Sequence, residues 1–426
     1  MSSLLLLGLF IVFMILGLPF VVCLGLACAL TLLTLPIGSV IPLAQASVAA
    51  IDSFTLIAIP LFLLMGNLMT DGGLTDRLMA FTRSLVGRFR GGLAMANVLA
   101  GLFFAGISGS AIADLVAIGS VVIPAMKKEG YSPSFSGAIT SGAALLGPII
   151  PPSILMILYG VQSGASITRL FLGGVIPGIL IAILLLAYVY YLGRRQNFPV
   201  SKVASVSEVV RTFRSAAPSL MTPVIIVMGV VYGIFTVTES AAIAVAYAAI
   251  LSILVYRTVS MPNLWKLLHR TSADTAVIML LIAFSAVAAW ILAIERVPMK
   301  LVALLLSLGF DKPMTLLAIN AILLLLGLAI EPAPALILIV PVLIPLAHAY
   351  NIDLVHLGLI LVINLNLGLL TPPVALANMI SARIAGISTR EQLPDVWPIF
   401  GIHFVVLMFV TYAPWLVLAL PNAVMN

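Results

Sequence analysis

Apolar residues fill this chain in runs that charge seldom interrupts. Residues 4–35, 273–294 and 400–420 are among the longest, and a hydrocarbon core of about 30 Å takes roughly 20 such residues to cross as a helix. No water is available at that depth, so each span must pair its own backbone groups, which predicts helices rather than open strands. The positions that interrupt the pattern carry more information than the runs. "LLGPIIPPSI" (145–154) sets three prolines and a glycine in an apolar span, and "LNLGLLTPPVAL" (365–376) repeats the theme with two prolines and a glycine. Proline lacks the amide donor and crowds the preceding turn, so both spans are predicted to be discontinuous.

A single shift of 221 residues relates these breaks and much else: Gly106 falls on Gly327, Pro124 on Pro345, Gly147 on Gly368, and Pro151-Pro152 on Pro372-Pro373. Shared punctuation at shared intervals predicts an internal duplication. Each half divides into six apolar segments, about 3–16, 18–35, 54–69, 92–126, 134–162 and 170–192 in the first half. The second half gives about 220–236, 240–256, 273–294, 313–348, 354–380 and 396–420. The fourth segment of each half, about 35 residues, is too long for one span and short for two, so it reads as a hairpin entering and leaving on one side. The remaining five segments cross, which turns the second half upside down relative to the first. The expected architecture is an all-α polytopic membrane protein with inverted repeats, two re-entrant helical hairpins and two proline-broken transmembrane helices. Residues 1–193 form the first repeat and 219–426 the second. Basic residues at helical spacing make 194–218 an amphipathic cytoplasmic connecting arm and about 257–271 another; a plain loop is the alternative for each.

Charge placement bears on orientation. With the N-terminus outside, sixteen of the twenty Lys and Arg residues fall in loops assigned to the cytoplasm, and only Arg169, Arg296, Lys300 and Lys312 fall outside. This positive-inside bias opens the first hairpin to the cytoplasm, the second to the outside, and leaves both termini outside. Composition sets the class: 63% hydrophobic and 8% charged residues exclude a soluble globular domain. The net charge of +6 then reports cytoplasmic loops, and no nucleic-acid partner is expected. Cys23 and Cys28 lack CxxC spacing and nearby histidine, so neither a disulfide nor a metal site is suggested. The start of the chain has no basic n-region or small-residue cleavage site and reads as a retained first span. The four histidines are scattered, which argues against an intramembrane enzyme.

Inverted repeats with discontinuous helices describe a secondary transporter whose site lies near the bilayer midplane. A broken helix frees carbonyls that suit a hard cation such as Na⁺, and amides that suit an anion. Polar side chains gather at both breaks: Ser108 and Ser110 at the first hairpin tip, Ser153 after the first proline pair, Thr371 before the second, and Asn364, Asn366 and Asn378 around it. Ser108, Ser110, Ser153, Thr371 and Asn378 are the candidate substrate contacts. Asp114 and Glu331 are acids in apolar stretches; each could neutralise a bound cation, relay a proton, or cap a helix start.

The motifs "GISGSAIADLVAIGSVVIPAMKKEGY", "GPIIPPSILMILYG", "TVTESAAIAVAYA" and "GLLTPPVALANM" together resemble the large membrane subunit of tripartite ATP-independent periplasmic (TRAP) transporters, across essentially the whole chain. The resemblance implies a sodium-coupled importer of organic acids in the bacterial inner membrane, working by an elevator motion. It implies two partners, a small membrane subunit of about four helices and a periplasmic substrate-binding protein. Carried onto matching positions, it also implies two sodium sites. The first uses Ser108, Gly147, Ile150 and Pro151, largely through carbonyls, and the second Gly327, Gly368, Thr371 and Val374. Ala105 stands where relatives carry a further hydroxyl. A stand-alone divalent-anion/sodium symporter, needing no binding protein, is the alternative.

Overall fold

In a computed structural model, which describes residues 2–35, 41–200, 203–372 and 375–425, the chain is helical throughout, with no strand among the described residues. Among the described residues eight helices are long and apolar enough to cross a membrane. Pro373 and Val374 of the second break, and Lys202 among the basic loop residues, lie outside the described residues.

The chain opens with α1 (Ser2–Ile15), α2 (Phe20–Thr34), α3 (Ile41–Ile51), α4 (Ala58–Asp71, entered through a 3-10 turn at Phe54–Ile57) and α5 (Leu74–Val86). Next, α6 (Gly92–Ser108) and α7 (Ala111–Lys128) are joined by Gly109 and Ser110; α8 (Pro133–Ala144) and α9 (Ile154–Ser163) flank residues 145–153; α10 (Ile167–Arg195) follows. Then come α11 (Val206–Val231), α12 (Val237–Ala249, continued by a π turn at Ile250–Val255), α13 (Met261–Ile294) and α14 (Val297–Ser307). A second pair, α15 (Lys312–Ala329) and α16 (Pro332–Ala349), is joined by Ile330 and Glu331. After it, α17 (Leu354–Leu367) tightens into a 3-10 turn at Gly368–Leu370 and stops ahead of α18 (Leu376–Ala385), and the chain ends on α19 (Thr389–Tyr412) and α20 (Trp415–Val424).

Three sequence expectations change. The arm expected at 194–218 is no separate element: α10 runs on to Arg195, and α11 continues from Val206 through Pro218 and Pro223 into the span. The arm expected at about 257–271 is likewise the first part of α13, a helix of 34 residues. Nothing between Leu264 and Ile294 is glycine or proline, so no residue there stops helix propagation. Conversely, the segment expected at 396–420 is two helices. Ala413 precedes Pro414 and takes φ −122°, ψ 75°, because proline's ring disfavours the helical region for the residue before it.

Two groups of helices pack around the site. α4 packs with α12 and α13, and α13 also with α2 and α3, which makes a frame. The second group is built on α8, which touches α6, α7, α18 and α19, and on α17, which touches α9, α15 and α19. The discontinuous helices thus meet each other, and the Ser141 hydroxyl donates to Ser381 Oγ at 2.7 Å across them. Buried amides tie the first arm of each helix pair to a discontinuous helix. Asn97 Nδ2 donates to Thr140 Oγ1 at 2.7 Å, and Asn364 Nδ2 to Asn320 Oδ1 at 2.7 Å. Each such bond contributes about 0.6 kcal/mol in a membrane interior.

Candidate functional site

The turn between α6 and α7 sets up the first constellation. Gly109 adopts φ +65°, which ends α6, and Ser110 caps α7 by accepting the Ala113 amide. Ser108 Oγ accepts the Ser110 amide at 3.1 Å and donates to Asp114 Oδ1. Asp114 is fully buried at 0% exposure, and its Oδ2 has no hydrogen-bond partner. The first break lies directly against it: a Cβ on Gly147 would sit 2.5 Å from Asp114 Oδ2 and 3.0 Å from the Ser110 carbonyl carbon, so only glycine fits.

Within the first break, Leu146 O accepts two amides and Pro148 O accepts the Ser153 hydroxyl at 2.5 Å. No donor among the described residues reaches the carbonyls of Gly147, Ile150 or Pro151. The Pro151-Pro152 bond is cis. A backbone with free carbonyls beside a buried carboxylate, as at Gly147, suits a hard monovalent cation, since an ionised carboxylate with an open oxygen is costly in a membrane interior without a counter-charge. Among the described residues no group of three or more His, Cys, Asp or Glu could hold a metal ion.

The second break is organised differently. Gly327 and Gly368 bring their backbones together so closely that a Cβ on Gly368 would strike Gly327 O. Here the carbonyls are taken: Gly368 O accepts the Thr371 amide at 3.2 Å and the Thr371 hydroxyl at 3.3 Å, and Thr371 O accepts the Ala375 amide at 3.1 Å.

Between the constellations lies a cavity of about 160 Å³. Both turns enter it, through Gly109, Ser110, Ala111 and Ile112 on one side and Glu331, Pro332 and Ala333 on the other. Both discontinuous helices line it through Pro148, Ile154, Leu155, Asn366 and Leu369, and the frame closes it with Leu63 and Ile278. The starts of α7 and α9 therefore face one space. Their first two amides precede any helical acceptor, and only the third in each is capped, by Ser110 and Ser153. Amides grouped in this way attract an anion. A wider cleft of about 860 Å³ adjoins the cavity, sharing Ser110 and Glu331, and runs along α4 and α13 to Asp71, Asp76, Arg270 and Asp274.

Of the residues singled out in the sequence, Ser110 lines the cavity and Ser108 the adjoining cleft. Ser153 caps α9 and Thr371 bonds its own turn. Asn378 is buried with neither side-chain polar atom partnered, and it lines neither space. Gly147 lies by the first turn and Pro151 O by Gly106 of α6, Ile150 packs on Gly178 of α10, and Gly327 and Gly368 meet at the second break. Leu63 and Ile278 had no signal in the sequence, being apolar residues of apolar helices.

Interrupted helices around a cavity, in a chain with eight candidate spans, define a multi-pass membrane transporter. The crystal structure of the Alcanivorax borkumensis YdaH transporter shares this fold at TM-score 0.63, covering 91% of each chain at 15% identity. The chain belongs to the family described as tripartite ATP-independent periplasmic transporter, DctM component, whose profile matches residues 7–416. It is 38% identical to the sialic acid TRAP transporter large permease protein SiaM of Vibrio cholerae, over 89% of each chain. It is also 38% identical to the C4-dicarboxylate TRAP transporter large permease protein DctM of Pseudomonas aeruginosa, over 94% of this chain and 93% of the relative.

Proposed function

We propose that this chain is the large membrane subunit of a sodium-coupled, binding-protein-dependent importer of organic acid anions. The observation that carries the proposal is the cavity where both turns and both breaks meet, with the free amides of α7 and α9 on its wall. An anion in a low-dielectric site needs oriented donors or cations, and among the described residues no Lys or Arg lines this cavity. The substrate carboxylate is held by the α7 and α9 starts and Ser110. Sodium travels as cargo at Ser108, Gly147, Ile150 and Pro151, where Asp114 supplies the negative charge. A second ion uses Gly327, Gly368, Thr371 and Val374.

The two repeats stand inverted in the bacterial inner membrane, with both termini in the periplasm. The wide cleft leads to loops assigned to the cytoplasm, which supports an inward-open state. Transport proceeds as an elevator: α6–α10 and α15–α20 travel together along the frame, where apolar contacts such as Leu63 and Ile278 resist sliding less than hydrogen bonds would. A small membrane subunit of about four helices widens the frame, and a periplasmic binding protein delivers the anion. The membership in a tripartite family supports both partners.

Reconstitution tests the reading. In liposomes with its small subunit, the chain should take up a labelled carboxylate only when a loaded binding protein and an inward sodium gradient are both present. Robust uptake by the chain alone would favour a stand-alone symporter, and uptake indifferent to sodium would remove the cation sites.

A further inference from the structure

The cavity is chemically two-ended. The wall supplied by the first half offers the leading amides of α7 and α9 and the Ser110 hydroxyl. The wall supplied by the second half presents an acid. Glu331 stands at the start of α16, yet its carboxylate makes no capping hydrogen bond and remains exposed to the cavity and the cleft. Asn366 is 1% exposed, and its Nδ2 donates to Val362 O at 2.7 Å. A carbonyl can only accept, so this bond fixes the amide orientation and leaves Oδ1 without a partner, enclosed behind the cavity wall. Prolines at positions 332 and 334 remove two of the amides that α16 would otherwise offer, so beside Glu331 this wall keeps the Ala333 amide alone.

We infer that the transported anion carries one carboxylate, and at its other end hydroxyl or amino donors, which Glu331 accepts. This inference rests on the anion-binding reading of the cavity and narrows it. A dicarboxylate of the same length places its second carboxylate against Glu331, where it finds like charge. A site built to bond a donor rejects an analogue lacking it strongly, because buried acceptors are left unpaired.

The test compares L-threonate with succinate, four-carbon acids that differ at the far end. Ile112→Cys places a reporter thiol on the cavity, in a background carrying Cys23→Ala and Cys28→Ala; Leu155→Cys serves as an independent reporter. Membranes from cells expressing the complete transporter are permeabilised and labelled with a maleimide in sodium chloride. Threonate should slow labelling at concentrations about tenfold below any effect of succinate, and Glu331→Gln should shrink that ratio toward unity. Equal protection by both acids, unchanged in Glu331→Gln, overturns the inference and leaves the anion cavity standing. If neither acid protects either reporter, the cavity is no anion site, and the functional reading falls with it.

Discussion

At the first break the carbonyls of Gly147, Ile150 and Pro151 accept nothing, and a buried carboxylate lies against Gly147. At the second break the Gly368 and Thr371 carbonyls are occupied, and the nearest acid faces the cavity instead. The shift of 221 residues makes the difference explicit: Asp114 corresponds to Ala335, and Glu331 to Ser110. One half keeps its acid a turn inside the helix, where it meets the break. The other keeps it at the turn, where it meets the substrate space. On the function proposed here, the two similar backbones divide cation neutralisation from substrate selection, with one acid for each.

Removing the buried charge is the most forceful way to break that comparison. Asp114→Asn preserves shape and the Ser108 contact but takes away the negative charge facing the free carbonyls. Losing one partner of a buried charge pair costs roughly 3–5 kcal/mol, so the sodium concentration for half-maximal uptake should rise at least about a hundredfold. Initial uptake rates against sodium concentration in proteoliposomes measure it. An unchanged half-saturation would mean that the first break holds no charge-assisted cation, and the division of roles would dissolve.

Much of this was legible in the sequence, for identifiable reasons. Helices and membrane character follow from apolar runs, and the interruptions at 145–153 and before Leu376 follow from glycine and proline, whose effects are local to the backbone. The family follows from motifs built on the same residues. What stayed illegible depends on contacts between distant segments. Only the folded chain shows that Leu63 and Ile278 close the cavity, that Asn366 buries an unpartnered acceptor, or that Ser153 is spent on a cap. The lengths of α11 and α13 were missed for another reason, because a change from polar to apolar composition does not stop a helix.

The glycines of the two breaks give a second, smaller contrast. A Cβ on Gly147 meets Asp114 Oδ2 at 2.5 Å, and the Ser110 and Ala111 backbone at 3.0 and 3.2 Å, so it presses on the cation site and on the turn before α7. A Cβ on Gly368 meets the Gly327 backbone, so the turn between α15 and α16 must move bodily. Overpacking of this kind costs roughly 1–3 kcal/mol. Gly368→Ala should therefore lower the thermal midpoint of the detergent-purified protein and cut its uptake about tenfold, whereas Gly147→Ala should lose sodium affinity with a smaller fall in midpoint. A loss of midpoint in Gly147→Ala as large as in Gly368→Ala would show that both glycines serve packing alone.

The smallest effect is expected from the hydroxyl of Thr371. It donates to Gly368 O at 3.3 Å and to Leu367 O at 3.4 Å, both long, and it is neutral. Its removal leaves the local turn held by the Thr371 amide, which bonds Gly368 O at 3.2 Å independently of the side chain. Thr371→Ala should thus cost about 0.5–1.5 kcal/mol, the usual worth of one neutral hydrogen-bonding group, and raise the half-saturating sodium concentration roughly two- to tenfold. Thr371→Ser, which restores the oxygen without the methyl, should return most of that loss. If serine failed to rescue while alanine impaired uptake, the methyl group and its packing would be what the second break needs, and its cation would have to rely on backbone oxygens alone. That outcome would widen the contrast with the first break, where the proposed charge comes from a side chain.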